Sequence, residues 1–367
     1  MLKIFSICLL FSVLSAHAAT DHEPSIRHTV EVYAHRGARA FAPENTMPAY
    51  EATLQIGTDW VDMDVVLTKD GQVLISHDPI LNPDIVRDAS GHFIAENKSA
   101  LKKMNPADRR AFNQKYAQKK LTLKELQTFD VGRLNLTSSY SKFFPDQRAI
   151  DGTHMPTLLE VIHSVNRITK NKVGFQIEMK TDPADPEFTA DPKVFAKALY
   201  EILKSEKILA RAEIQAFDWR CLQELQKLNP KVKSAYLTSR DNEKKGEDDF
   251  FQSDVAKATL WTAGVKVADH KNSIPQLVKD MGGFAWEPED AELTKENLEE
   301  AHRLGLKVVV WSWPEQLGTA FSSTLVNQML DWGVDGIISD DPGRLTSILA
   351  VRKMRVPMRY LPNLPKN

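Results

Sequence analysis

Cysteine is scarce, with only Cys8 and Cys221 in 367 residues, which excludes a disulfide framework and a thiolate zinc site. No hydrophobic run is long enough to cross a bilayer. The longest, Ile4–Leu14, falls well short of the roughly 20 apolar residues that a membrane helix needs. Excess charge of one sign is missing too: 47 Lys+Arg stand against 49 Asp+Glu, a formal net charge of -2, so no overall basic field is available to hold nucleic acid. Gly-x-Gly-x-x-Gly is absent after the first predicted strand, which argues against a dinucleotide-binding crossover. There is no internal repeat and no low-complexity tract.

What remains is 42% hydrophobic and 26% charged, the balance of a soluble globular protein. Met1-Leu2-Lys3, the apolar run and Ser15-Ala16-His17-Ala18-Ala19 read as an export signal over residues 1–18, cut after Ala18. The expected product is periplasmic or secreted, with Cys221 as its one thiol.

From residue 30, short β-branched runs alternate with helical patterns. Strands are predicted at Val30–Ala34, Trp60–Val66, Val173–Met179, Glu213–Ala216, Val232–Leu237, Gly283–Trp286, Val308–Trp311 and Gly336–Ser339. Eight strands with intervening helices predict an α/β fold, a (β/α)8 TIM barrel over residues 30–348, with an open doubly wound sheet as the competing arrangement. Gln72–Ser76 reads as a hairpin strand after the Lys69-Asp70-Gly71 turn. Residues 79–155 form a polar, largely helical insertion, including a run at Thr122–Thr128, that is expected on the active-site face. Ser239–Asp249 reads as a solvated acidic loop. The basic tail, residues 349–367, carries Arg352, Lys353, Arg355, Arg359 and Lys366; it reads as a frayed terminus or as a weak contact for an anionic membrane surface.

Asp62 and Asp64 share one face of a predicted strand, and Gln176, Glu178 and Lys180 share one face of another. Turned inward at a barrel mouth, Asp62, Asp64 and Glu178 offer oxygen ligands suited to a hard divalent cation, and Lys180 suits an anion. His35 and His77 each end a strand beside a charged neighbour, Arg36 and Asp78, and suit proton transfer. Histidines 92, 163, 270 and 302 read as structural. Arg36 offers a planar fork of donors for phosphate, and Gly37 lets the backbone bend away.

His35-Arg36-Gly37, Pro43-Glu44-Asn45-Thr46, Asp62-x-Asp64-Val65, Thr68-Lys69-Asp70-Gly71, His77-Asp78, Leu121-Thr122-Leu123, Pro156-Thr157-Leu158, Glu178-x-Lys180, Gln215-Ala216-Phe217, Trp311-Ser312-Trp313 and Gly333 to Asp340 follow one another in the chain. This ordered set, from Val30 to Leu345, resembles the glycerophosphodiester phosphodiesterases of the exported bacterial type. The resemblance implies a barrel with an insertion after the second barrel strand. It makes His35 and His77 the catalytic acid/base pair, and Asp62, Asp64 and Glu178 the ligands of one cation, Ca2+ or Mg2+. Arg36 and Lys180 would hold the phosphate, Glu44 would line the site, and Phe217 and Trp313 would wall the glycerol. Asp62 departs from the family, which usually has Glu there. The implied activity is hydrolysis of glycerophosphodiesters, small-molecule substrates, to sn-glycerol 3-phosphate and an alcohol. A lysophospholipase D-type enzyme and a non-catalytic exported binding protein are the alternatives.

Overall fold

The computed structural model describes residues 29–239, 261–312 and 322–361. Nine strands appear in chain order: β1 (Glu31–Ala34), β2 (Trp60–Leu67), β3 (Val73–Ile75), β4 (Gly174–Met179), β5 (Ala212–Ala216), β6 (Lys233–Thr238), β7 (Ala285–Pro288), β8 (Lys307–Val310) and β9 (Gly336–Ser339). All but β3 are parallel, and β1 pairs with both β9 and β2, so eight strands close into a (β/α)8 barrel. β3 is the hairpin strand, antiparallel to β2. The predicted export signal, most of the acidic loop and Trp313 lie outside the described residues.

Alternation explains the barrel. Along β2, Val61, Met63 and Val65 face outward into the main core, where Val161, Ile162 and Val165 of the helix Leu158–Thr169 also pack. The opposite face of β2 carries Trp60, Asp62 and Asp64. Near the base of the barrel Trp60 stacks on Tyr33 with centroids 5.5 Å apart. Gly174 makes room for it, because a Cβ there would sit 2.2 Å from the indole. Lys307 closes this floor with ion pairs to Glu31 at 2.6 Å and Glu213 at 2.9 Å.

Some boundaries differ from the sequence reading. β7 starts two residues after the predicted Gly283, because Gly282 has φ 77° and Gly283 is pressed against Val278, so both belong to the turn. In the insertion, Thr122–Thr128 shortens to a single turn, Leu123–Leu126, capped by Thr122 and Glu125; its longer helices are Lys98–Lys103 and Pro106–Tyr116. The insertion has its own small core, where Leu81, Val86, Leu126, Val131 and Met155 pack on Val66 and Leu74 of the hairpin. The tail is not frayed as far as Leu361. Arg355 pairs with Asp59, the Arg359 side chain donates to Gln55 O at 2.9 Å, and Tyr360 N donates to Leu54 O at 2.8 Å. With Arg352 paired to Asp331, three of its basic groups are thus engaged. Among the described residues no helix is long and apolar enough to cross a membrane.

Candidate active site

The C-terminal ends of β1, β2, β4 and the hairpin deliver the predicted groups to one place. Parallel pairing sets Asp62 beside Gln176 and Asp64 beside Glu178, and Lys180 follows two residues further on. His35 leaves β1 with its N–H on Ser339 O at 2.9 Å. The chain then turns through two left-handed residues, Arg36 at φ 51° and Gly37 at φ 80°. A Cβ on Gly37 would lie 2.7 Å from that of Ala49, so only glycine lets this turn lie against the helix Met47–Ile56. The turn brings Arg36 back over the mouth. A cavity of about 440 Å³ opens there, and His35, Arg36, Asp62, His77, Glu178, Lys180 and Phe217 all line it.

Asp64 and Glu44 are buried against Arg36. Arg36 Nη1 donates to Glu44 at 2.8 Å and its Nε lies 3.2 Å from Asp64 Oδ2. Asn45 Nδ2 donates to the same Asp64 oxygen at 2.8 Å. Gln215 Nε2 donates to Asp62 Oδ1 at 2.8 Å. Lys180 Nζ donates to Glu178 Oε1 at 2.6 Å and to His77 Nε2 at 3.1 Å. Phe217 packs edge-on against Trp311, with centroids 5.3 Å apart.

The electrostatics separate the groups. Burial, then the Arg39 charge, lowers His35 to about 4; burial, then Arg36 and Lys180, lowers His77 to about 4 as well. Both rings are therefore neutral at pH 7 in the free protein. Burial and the Asp64 and Glu178 charges push Asp62 well above the carboxylate range. Burial likewise raises Glu178 to about 7, against the pull of Lys180. Asp64 goes the other way: burial opposes ionisation, but His77, Arg36 and Lys180 hold it low.

Several participants carry no signal that periodicity could reveal. Asp340, just after β9, accepts from His35 Nδ1 at 2.7 Å, although the two lie 305 positions apart. Arg39 donates to both oxygens of Asp340, at 2.5 and 3.0 Å. Burial opposes its ionisation, yet Arg39 and His35 keep the Asp340 carboxyl low. Because a carboxylate only accepts, Nδ1 of His35 is the donor and Nε2 is left for chemistry. His77 has a similar support nearer in sequence, with Nδ1 3.4 Å from Asp78, which Lys98 and Asn82 of the insertion each hold at 2.9 Å. Of the histidines read as structural, 163, 270 and 302 each pair with a carboxylate away from the mouth: Glu206, Asp280 and Asp335.

A barrel whose mouth joins two carboxylate-backed imidazoles to an arginine, a lysine and three neighbouring acids has the layout of an enzyme site, with groups suited to moving protons and to holding an anion. More narrowly, the chain belongs to the glycerophosphoryl diester phosphodiesterase family, whose sequence profile matches residues 35–344. The family consists of phosphoric diester hydrolases. The chain is 27% identical over 318 residues to a glycerophosphodiester phosphodiesterase of Bacillus altitudinis, covering 87% of this chain and 97% of that one. With two Bacillus subtilis relatives the matched stretch is shorter, 65% and 21% of their lengths, so the chain covers less than two thirds of either. A crystal structure from Silicibacter pomeroyi DSS-3 superposes with TM-score 0.71 at 27% identity, over 89% of this chain and 95% of that one. The fold is shared with an Oleispira antarctica phosphodiesterase solved with sn-glycerol-3-phosphate, at TM-score 0.57 and 18% identity, over 88% and 97% of the two chains.

Proposed function

We propose that this protein hydrolyses glycerophosphodiesters, the deacylated phospholipids, to sn-glycerol 3-phosphate and an alcohol. The observation that carries this reading is the convergence of His35 and His77 with Arg36 and Lys180 around one cavity in a chain of this family. A phosphodiester is an anion with a poor alkoxide leaving group, so its cleavage needs positive charge at the phosphoryl oxygens and a proton for the departing oxygen. Arg36 and Lys180 supply charge. One imidazole takes the proton from the glycerol hydroxyl next to the ester, and that hydroxyl attacks phosphorus. The other protonates the leaving alcohol, and water then opens the cyclic phosphate with the roles reversed. The substrate's negative charge raises the histidine pKa values on binding, which helps the donor ring hold its proton. Phe217 faces the apolar carbons of the glycerol, with Trp313 proposed to join it.

Asp62, Asp64 and Glu178 fit a hard divalent cation, Ca2+ or Mg2+, in donor type. They are buried together, and burial, with the neighbouring carboxylate charge added to it, raises Asp62 and Glu178. Among the described residues no three ligating side chains stand as a preformed ion site: Glu178 is drawn to Lys180, and Asp64 to Arg36 and Asn45. Those contacts also keep the acids within reach of the cavity. Such an ion would add positive charge at the phosphoryl oxygens. Export through residues 1–18 belongs to the same reading and places the activity in the periplasm or outside the cell.

Purified protein supplied with Ca2+ or Mg2+ is expected to release glycerol phosphate from glycerophosphocholine or glycerophosphoethanolamine, read by a coupled glycerol-phosphate assay. Faster turnover of lysophosphatidylcholine than of glycerophosphocholine would move the assignment to a lysophospholipase D-type enzyme. No turnover of either would leave a binding protein.

A further inference from the structure

Tyr140 lies in the insertion, on the 3-10 turn Ser139–Phe143, where the Ser138 hydroxyl caps its N–H. Its ring packs edge-on against Phe144 with centroids 5.2 Å apart, and Arg39 lies over the same Phe144 ring at 4.7 Å. Its hydroxyl donates to Glu44 Oε2 and accepts from Arg39 Nη1 at 3.0 Å. Two chains of contacts leave that oxygen. One runs through Glu44 to Arg36 at 2.8 Å and on to Asp64 at 3.2 Å. The other runs through Arg39 to Asp340 and on to His35 Nδ1 at 2.7 Å.

We infer that Tyr140 is a positioning residue of the active site: a hydroxyl donated by the insertion that joins the phosphate-gripping arm, Glu44–Arg36, to the proton-transfer arm, Arg39–Asp340–His35. The inference rests on the phosphodiesterase reading for its catalytic consequence, but not for the contacts themselves. The chemistry of the link is specific. Glu44 needs a donor on its second oxygen to hold the carboxylate plane that meets Arg36, and Arg39 needs an acceptor for the nitrogen that Asp340 does not reach. A phenol does both at once. Burial and the Glu44 charge push its pKa well above the usual value, which keeps the proton in place. The insertion is then part of the working site as well as its cover: when its turn docks, the two arms are brought into register. Motion or loss of this turn would loosen Arg36 and His35 together, although neither residue belongs to the insertion.

The test is Tyr140→Phe in the full-length protein, which keeps the ring on Phe144 and removes only the hydroxyl. The variant is expected to lower kcat on glycerophosphocholine about tenfold with KM changed less than about threefold, because the arms matter most where charge develops. Its affinity for inorganic phosphate, measured by calorimetry, should fall several-fold while the melting temperature stays within a few degrees. Glu44→Gln should show the same two losses, and the double variant should be little worse than the poorer single one, since the hydroxyl acts through Glu44. Wild-type kcat and phosphate affinity in Tyr140→Phe would overturn the inference, as would losses that add fully in the double variant or that only track a fall in melting temperature. The calorimetric arm needs no turnover. A wild type that binds phosphate more tightly than Tyr140→Phe yet hydrolyses nothing would sink the functional reading and leave the role of Tyr140 standing.

Discussion

His35→Ala is expected to lower turnover of glycerophosphocholine by about 10²–10⁴, the range lost when a positioned acid or base is removed. The loss should fall on kcat, because the ring exchanges a proton with a reacting oxygen and contributes little to ground-state grip. Folding should survive. Asp340, which loses His35 as a donor, keeps the Arg39 fork on both oxygens, so no buried carboxylate is stranded. Circular dichroism and a thermal melt check that point, and a variant within tenfold of the wild-type rate would remove His35 from the mechanism. The pH dependence adds a second measurement. With both imidazoles lowered to about 4 by burial and neighbouring guanidinium or ammonium charge, the acid limb of kcat/KM should fall near pH 4, well below the ordinary histidine value of 6.5. The sign for stability follows from the same shift. Between about pH 6.5 and 4 the unfolded chain binds protons that the folded rings refuse, so stability is lost as pH falls through that window. His35→Ala should flatten that decline. An acid-side half-loss near pH 4, set by the ring that acts as base and assayed against glycerophosphocholine, would agree with a lowered imidazole; an acid-side half-loss at pH 6.5 would not.

The parts of this site that were legible in the sequence are those set by local alternation. Asp62 and Asp64 interrupt an otherwise apolar strand at a spacing of two, Gln176 and Glu178 do the same with Lys180 next in the alternation, and a strand buried on both faces places polar residues together only where they meet each other or a ligand. His35, Arg36 and His77 were legible because they end strands that open at the same mouth. What could not be read is what supports them. Asp340 reaches His35 only because β9 closes the barrel beside β1, a pairing between the two ends of the chain. Arg39 follows a left-handed turn that no periodicity marks, and Tyr140 comes from a polar insertion whose two longer helices bury no side chain. The fold followed the same rule. Strand centres came from β-branched runs, while the edges slipped where glycine made the turn, as at Gly282 and Gly283 before β7.

Treatment with excess chelator is expected to abolish hydrolysis, by at least about 100-fold, and a divalent cation should restore it. Asp62, Asp64 and Glu178 converge at the mouth with little solvent to screen them, and among the described residues Lys180 and Arg36 are the Lys and Arg side chains that pair with the trio. Arg36 is already matched by Glu44. The excess negative charge shows in Asp62 and Glu178, both of which burial and neighbouring carboxylates push toward the protonated form. Ionised together, the three acids would repel an incoming phosphodiester unless positive charge balances them. A divalent ion held by Asp62, Asp64 and Glu178 would supply that balance, and Lys180 would then be free of Glu178 to meet the phosphate. Chelation should therefore act on catalysis and substrate affinity while sparing the fold, because the main core between barrel and helices runs around the whole barrel and depends on no ion. The melting temperature of the chelated protein should drop by only a few degrees. Ca2+ and Mg2+ should differ in how well they restore the rate, since Asp62 has a short arm and Gln215 holds one of its oxygens at 2.8 Å; a larger, geometrically tolerant ion suits that arrangement better. Restoration by Ca2+ at lower concentration than by Mg2+ is the expected order. Full activity in excess chelator would show that Arg36 and Lys180 provide the positive charge without help.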